Sequence, residues 1–166
     1  YTKTRNQFAT DPSPSCQDTI CKTINLLSSH NKGAELSLSK KMGYTTIRAS
    51  FTVQDPINDS TGETLFRRSK YFGSVAATHS IGSWLLGADM IFSGRHNDKF
   101  YFNFDPYSED RNVSGFGKVS LTARNQISKN LAAYARIDNV LDREYQTVYG
   151  YNQLPRGLYV GLNWTH

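Results

Sequence analysis

Long apolar runs are the feature this chain most lacks. No window approaches the roughly 20 consecutive apolar residues that a membrane-spanning helix needs, which excludes a helical membrane protein. Hydrophobic residues make up only 38% of the 166 positions. That shortage does not exclude a membrane barrel, whose strands are apolar on one face only. Cysteine is scarce as well, with Cys16 and Cys21 five positions apart in a polar stretch. No CxxC and no nearby His pair accompanies them, so a thiolate metal site is not expected. A local disulfide is preferred over free thiols, and it would put this loop in an oxidising compartment. His30, His79, His96 and His166 are dispersed and suggest no Ser-His-Asp grouping; dispersal alone does not exclude an enzyme, but none is expected. Asp55, Asn58, Asp59 and Glu63 offer oxygen ligands, but their spacing fits no known Ca²⁺ loop and a solvated acidic hairpin is the preferred reading. No metal and no cofactor are therefore expected. Lys and Arg produce a net charge of +5 but are scattered. The nearest approach to a cluster, Arg67-Arg68-Ser69-Lys70, is too short to argue for nucleic acid, and the plain reading of the charge is solubility.

What the chain has is alternation. Leu158, Val160, Leu162 and Trp164 alternate with Gly157, Tyr159, Gly161, Asn163 and Thr165 near the end. Successive side chains on a strand point to opposite faces, so this segment has one oily face and one small or polar face. The same period of two runs through residues 131–138, 113–124, 86–95, 71–78, 45–54 and 34–39, and more weakly through 1–8. Eight strands are expected. Their connections alternate in length: short turns at 40–43, 79–83 and 125–130, long loops at about 9–29, 55–68, 96–111 and 142–156. A membrane barrel sorts its loops this way, with short periplasmic turns and long extracellular loops. Arg48, Lys118, Arg124, Arg136, Asp89 and Asp138 all share the polar parity. A Lys or Arg facing lipid near mid-membrane costs about 2–4 kcal/mol, so these charges are assigned to the lumen. The expected fold is all-β, a transmembrane antiparallel up-and-down β-barrel. The competing fold is a soluble antiparallel sheet with one solvated face. Aromatics at 13%, with Tyr 10 and Phe 9, suit girdles at the two bilayer interfaces.

Within this pattern, residues 137–145, Ile137-Asp138-Asn139-Val140-Leu141-Asp142-Arg143-Glu144-Tyr145, carry an N-(L/V)-(F/L)-D-(K/R)-x-Y signature. Asn31-Lys32-Gly33-Ala34-Glu35 reads as a strand entry of the form x-K-G-x-E. Asp55, Thr61, Gly62, Leu65, Arg67, Arg68 and Lys70 follow a D…T-G-x-x-L-x-R-R-x-K block. On these motifs the chain resembles the TonB-dependent outer-membrane receptors along nearly its whole length. The stretch Gln146-Thr147-Val148-Tyr149-Gly150-Tyr151 is similar to the last long loop of the cobalamin receptors of that family. The resemblance implies a barrel of about 22 strands, an N-terminal plug in its lumen, and uptake of a scarce, large substrate driven by TonB from the inner membrane. The implied cargo is cobalamin or another corrinoid. Residues 1–166 would then be the C-terminal part of the barrel, its last eight strands, with plug and earlier strands upstream. The chain opens without Met or signal peptide and already alternates, which fits that expectation. One departure is His166, at the place where the family ends in an aromatic residue.

The implied partners are outer-membrane lipid, TonB through a plug domain not in this chain, and the nutrient itself, in the bacterial outer membrane. Candidate substrate contacts are loop aromatics: Tyr101, Phe102, Phe104 and Tyr107 in one loop, Tyr145, Tyr149 and Tyr151 in another. Rigid aromatics beside polar groups suit a large amphipathic ligand; the competing reading for any one of them is a girdle or loop-packing role. Two alternatives for function stand beside corrinoid uptake. One is a siderophore or haem receptor with the same mechanism. The other is a self-contained eight-stranded barrel serving as adhesin or structural anchor.

Overall fold

The computed structural model describes residues 2–10, 23–102 and 108–165. Cys16, Cys21, Phe104, Tyr107 and His166 lie outside these residues, and with them the expected disulfide. The described residues form strands and turns with no helix. In chain order the strands are β1 (Thr2–Thr10), β2 (Thr23–Met42), β3 (Thr45–Asn58), β4 (Tyr71–Ile81), β5 (Trp84–Ser93), β6 (His96–Tyr101), β7 (Ser108–Val113), β8 (Phe116–Gln126), β9 (Leu131–Asp138), β10 (Gln146–Val148), β11 (Tyr151–Asn152) and β12 (Gly157–Trp164). Eight of them make one antiparallel sheet in the order β1-β2-β3-β4-β5-β8-β9-β12. The remaining four form two small hairpins, β6–β7 and β10–β11, which stand within the connections between sheet strands. Among the described residues the sheet is open, with β1 and β12 at its edges.

The expected eight strands are all present, and each is joined to the next in the order the alternation implied. Short connections fall at one end. Residues 43–44 and 82–83 are two-residue turns in which Gly43 (φ 58°) and Gly82 (φ 56°) take the first central position. Positive φ there belongs to the hairpin turns whose twist matches the flanking strands, and glycine adopts it without steric cost. The third short connection, residues 127–130, closes through Ile127 N–H to the Leu131 carbonyl at 2.9 Å.

Two differences from the sequence reading lie at the other end. β2 begins at Thr23, inside the stretch expected to be loop. The strand expected over 113–124 is broken: Val113 closes β7 and is buried, and the sheet strand starts at Phe116. Gly115 lies in the break, where a Cβ would come within 2.8 Å of the Ser93 carbonyl oxygen.

Cross-strand registers align like with like. One row runs Leu38–Ala49–Val75–Met90–Val119, the next Leu36–Phe51–Gly73–Phe92–Gly117. Phe51 and Phe92 stack across Gly73 with ring centroids 6.1 Å apart. A Cβ on Gly73 would come within 2.7 Å of the Phe92 ring, so the small residue makes the aromatic contact possible. The alternate rows are polar, as in Ser39–Arg48–Ala76–Asp89–Ser120. On this face Ser50 and Ser74 share a hydrogen bond of 2.9 Å, and the Arg136 guanidinium meets Asp138 at 2.6 Å.

Among the described residues the apolar face has no second layer packed against it. Only Val113 and Ala132 are buried hydrophobic residues among those described, while Leu36, Val160 and Leu162 are each 70% or more exposed. Phe51 and Leu121 also stand exposed on it. A chain in water would not leave so large a contiguous apolar surface open. Hydrocarbon accepts it, since the polar backbone is satisfied within the sheet. Residues 45–53 of β3 span about 27 Å along the strand, and a strand tilt of 35–45° brings that near the depth of a bilayer's apolar band. At the short-turn end Tyr44, Trp84 and Trp164 are exposed, where an interfacial aromatic girdle belongs.

Candidate functional site

Above the sheet, on the long-connection side, local rules of the sequence build a fixed scaffold. The loop after β9 turns on Asn139, which is buried and left-handed at φ 51°. Its side chain accepts from the Arg143 amide at 3.1 Å and donates to the Arg143 carbonyl at 3.0 Å. Asp142, also left-handed at φ 51°, takes the Arg156 backbone N–H at 2.8 Å and the Arg156 guanidinium at 3.2 Å. Asn and Asp are the residues that tolerate this backbone region. The Arg156 amide, followed by its guanidinium, holds the Asp142 carboxyl below the usual carboxylate value. The N-V-L-D-R signature is thus a lock at the foot of the loop carrying β10 and β11.

The block after β3 is structural in the same way. Asn58 N–H donates to the Glu63 carbonyl, Gly62 turns at φ 73°, and Lys70 pairs with Asp55 at 3.0 Å. Asp59 is held instead by Ser28 and His30, with the Ser28 hydroxyl and then His30 keeping its carboxyl below the usual value. Of the oxygen ligands weighed for Ca²⁺, the Asp55 carboxylate is thus engaged by Lys70 and that of Asp59 by Ser28 and His30.

The centre of the outer end is Asp98 on β6, 1% exposed. Its Oδ1 accepts from Arg67 Nε at 2.7 Å and from the Lys99 amide at 2.8 Å, and its Oδ2 accepts from the Tyr149 amide at 2.9 Å. Burial alone would push this carboxyl up, but the Tyr149, Arg67 and Lys99 donors outweigh it and leave the group below the ordinary value. Arg67 adopts φ 58°, a conformation an Arg takes only when its surroundings hold it there.

Around this carboxylate sits an aromatic cluster. Phe100 meets Phe102 edge-on at 5.0 Å and Tyr149 at 5.6 Å. Arg111 lies 5.4 Å from the Tyr149 ring, and the Lys99 ammonium 5.0 Å from the Phe66 ring. Of the candidate contacts, Phe102 and Tyr149 are brought together through Phe100. Tyr145 is not with them: it stacks on Phe116 at 4.4 Å, at the foot of the loop. Beside it Arg143, Glu144 and Gln146 face Asn112 and Asn152 across a polar cleft of about 270 Å³. Tyr101 and Tyr151 are exposed. Sequence reasoning missed Asp98, Arg67, Phe66, Phe100 and Arg111. Arg67 was named only as part of the R-R-x-K motif, and no local signal marks Asp98, whose partners lie 31 and 51 positions away.

A lipid-facing antiparallel sheet with short turns at one end and a packed aromatic and cationic loop cluster at the other defines part of an outer-membrane receptor barrel. The family model described as "TonB dependent receptor-like, beta-barrel" matches residues 1–140, and the chain belongs to that family. It lies in the bacterial outer membrane, in a family of receptors and not of enzymes. A curated relative, the vitamin B12 transporter BtuB of Vibrio cholerae serotype O1, is 25% identical over 139 residues, or 82% of this chain. The chain spans 22% of the length of that relative. Among solved structures, the ferripyoverdine receptor of Pseudomonas aeruginosa superposes with a TM-score of 0.77 at 21% identity, covering 98% of this chain and 23% of that one. The siderophore receptor PiuA of Acinetobacter baumannii gives 0.72 at 17% identity, covering 98% and 24%. The copper transporter OprC gives 0.67 at 17%, covering 87% and 25%. These likenesses carry the fold alone.

Proposed function

We propose that this chain is the C-terminal barrel section of a TonB-dependent receptor that takes up cobalamin or another corrinoid across the outer membrane. The observation that carries the cargo is the similarity to vitamin B12 transporters over 82% of the chain, supported by the Thr147-Val148-Tyr149-Gly150-Tyr151 loop. In this reading the polar sheet face looks onto a plug domain encoded elsewhere in the gene, and TonB acts through that plug. The Phe100, Phe102 and Tyr149 cluster, with Arg111 beside it, offers rigid apolar faces next to donors, which suits a large amphipathic ligand. Tyr101 and Tyr151, exposed on the two hairpins, stand ready to close on it; Tyr145 serves the scaffold, and Tyr107 belongs to the same proposed set.

A siderophore receptor is the second reading, since solved structures of the same fold include siderophore receptors. Titrating cyanocobalamin, ferric siderophores and haem separately into the full gene product in detergent decides between them. Tight binding of cyanocobalamin alone supports the first reading. Binding of a ferric siderophore or haem with none of cobalamin overturns the cargo and leaves a receptor of another nutrient.

A further inference from the structure

Three outer segments that are far apart in sequence share one buried carboxylate. Arg67 comes from the loop after β3, Lys99 from β6, and Tyr149 from the tip of the β10–β11 hairpin. Each oxygen of Asp98 is committed, Oδ1 to Arg67 and Lys99 and Oδ2 to Tyr149. The Arg67 amide also reaches the Asn97 carbonyl at 2.7 Å, so the first loop is tied twice to β6. The hairpin tip is held over β6 and β7 by this bond together with the Phe100 and Arg111 ring contacts.

From this geometry we infer that Asp98 is a positioning residue that couples the three outer loops, so that they order and open as one unit. The inference deepens the receptor reading, because Tyr149 and the Phe100 face keep their place only while the carboxylate keeps all its donors. A buried carboxylate tolerates its charge through paired donors, and removing one donor leaves the charge undercompensated. Loss of Arg67 from one oxygen is therefore felt at Tyr149 on the other. A purely local role, in which Asp98 only stiffens its own hairpin, has no such consequence. The carboxylate gives the loops a shared state in place of three independent ones, which is what a physical route for coupling between them requires.

The test is amide hydrogen exchange on the full gene product in detergent, comparing the unaltered protein with Asp98→Ala and Arg67→Gln. Asp98→Ala is expected to speed exchange in residues 64–69 and 146–152 together by about tenfold or more, with β4 unchanged. Arg67→Gln, which leaves the carboxylate in place, is expected to speed exchange in 146–152 as well. Acceleration confined to residues 96–113 in the first variant, or an unchanged 146–152 in the second, overturns the inference. A ligand arm separates this from the cargo. If the unaltered protein binds cyanocobalamin, both variants weaken it; if it binds none, the cargo reading fails while the exchange result still decides the coupling.

Discussion

The Asn139 side chain closes a ring on a single residue, accepting from the Arg143 amide and donating to the Arg143 carbonyl. With its left-handed backbone, this one residue fixes the direction in which the chain leaves β9. Asn139→Ala removes these two bonds and a longer one to the Leu154 carbonyl at 3.4 Å, strains the backbone, and is expected to destabilise the loop region by about 2–3 kcal/mol. Asn139→Gly keeps the backbone free and loses only the bonds, so its cost is smaller. Thermal unfolding of the two variants in the same detergent compares them; equal losses would mean the backbone conformation is not part of the cost.

Parity makes a sharp distinction between adjacent positions. Val75 points to lipid and Ser74, bonded to Ser50, to the lumen. Val75→Arg is expected to cost about 2–4 kcal/mol in a urea-refolding titration into lipid vesicles, and Ser74→Arg about 0–1 kcal/mol beyond its lost hydrogen bond. Equal effects would remove the assignment of faces.

The Asp98 contacts set a pH window. The carboxyl sits below its ordinary value of 3.8 in the folded protein, so it releases its proton more readily there than in the unfolded chain. Its contribution is complete above the unfolded value and is lost as pH falls through the folded one. Exchange in residues 146–152, corrected for intrinsic chemistry, is expected to stay flat from about pH 8 to 5 and to rise only below about pH 4. A rise centred near pH 6 would mean that another group governs the loops.

Tyr149 is packed from two sides, by Phe100 and by Arg111. Tyr149→Ala loses one edge-to-face contact and one cation–ring contact, and on the receptor reading it weakens ligand binding by about tenfold or more. Tyr145→Ala, at the Phe116 stack, is expected to affect thermal stability more than affinity. The reverse pattern in calorimetric titrations would exchange their roles.

The membrane section of the fold was legible because hydrocarbon punishes every misplaced charge, so Thr45 to Gln54 could only be written with alternating polarity. Outside the bilayer that constraint ends. Residues 28–33 and the two small hairpins carry polar residues at both parities, and their strands were invisible to periodicity. The signature around Asn139 could be recognised by resemblance, but its role as a loop lock needed the geometry. Asp98 looked like any other loop acid. What distinguishes it is burial by segments the chain brings together from 31 and 51 residues away, and no local pattern encodes that.

Single cysteines carried through residues 72–78, in the full gene product with Cys16 and Cys21 replaced, allow spin labels to report each position's surroundings in lipid vesicles. Labels at Gly73, Val75 and Ala77 are expected to collide with oxygen dissolved in the bilayer, and those at Phe72, Ser74, Ala76 and Thr78 to show little such collision. Collision that does not alternate along β4, or that favours the Ser74 side, would contradict the lipid-facing sheet.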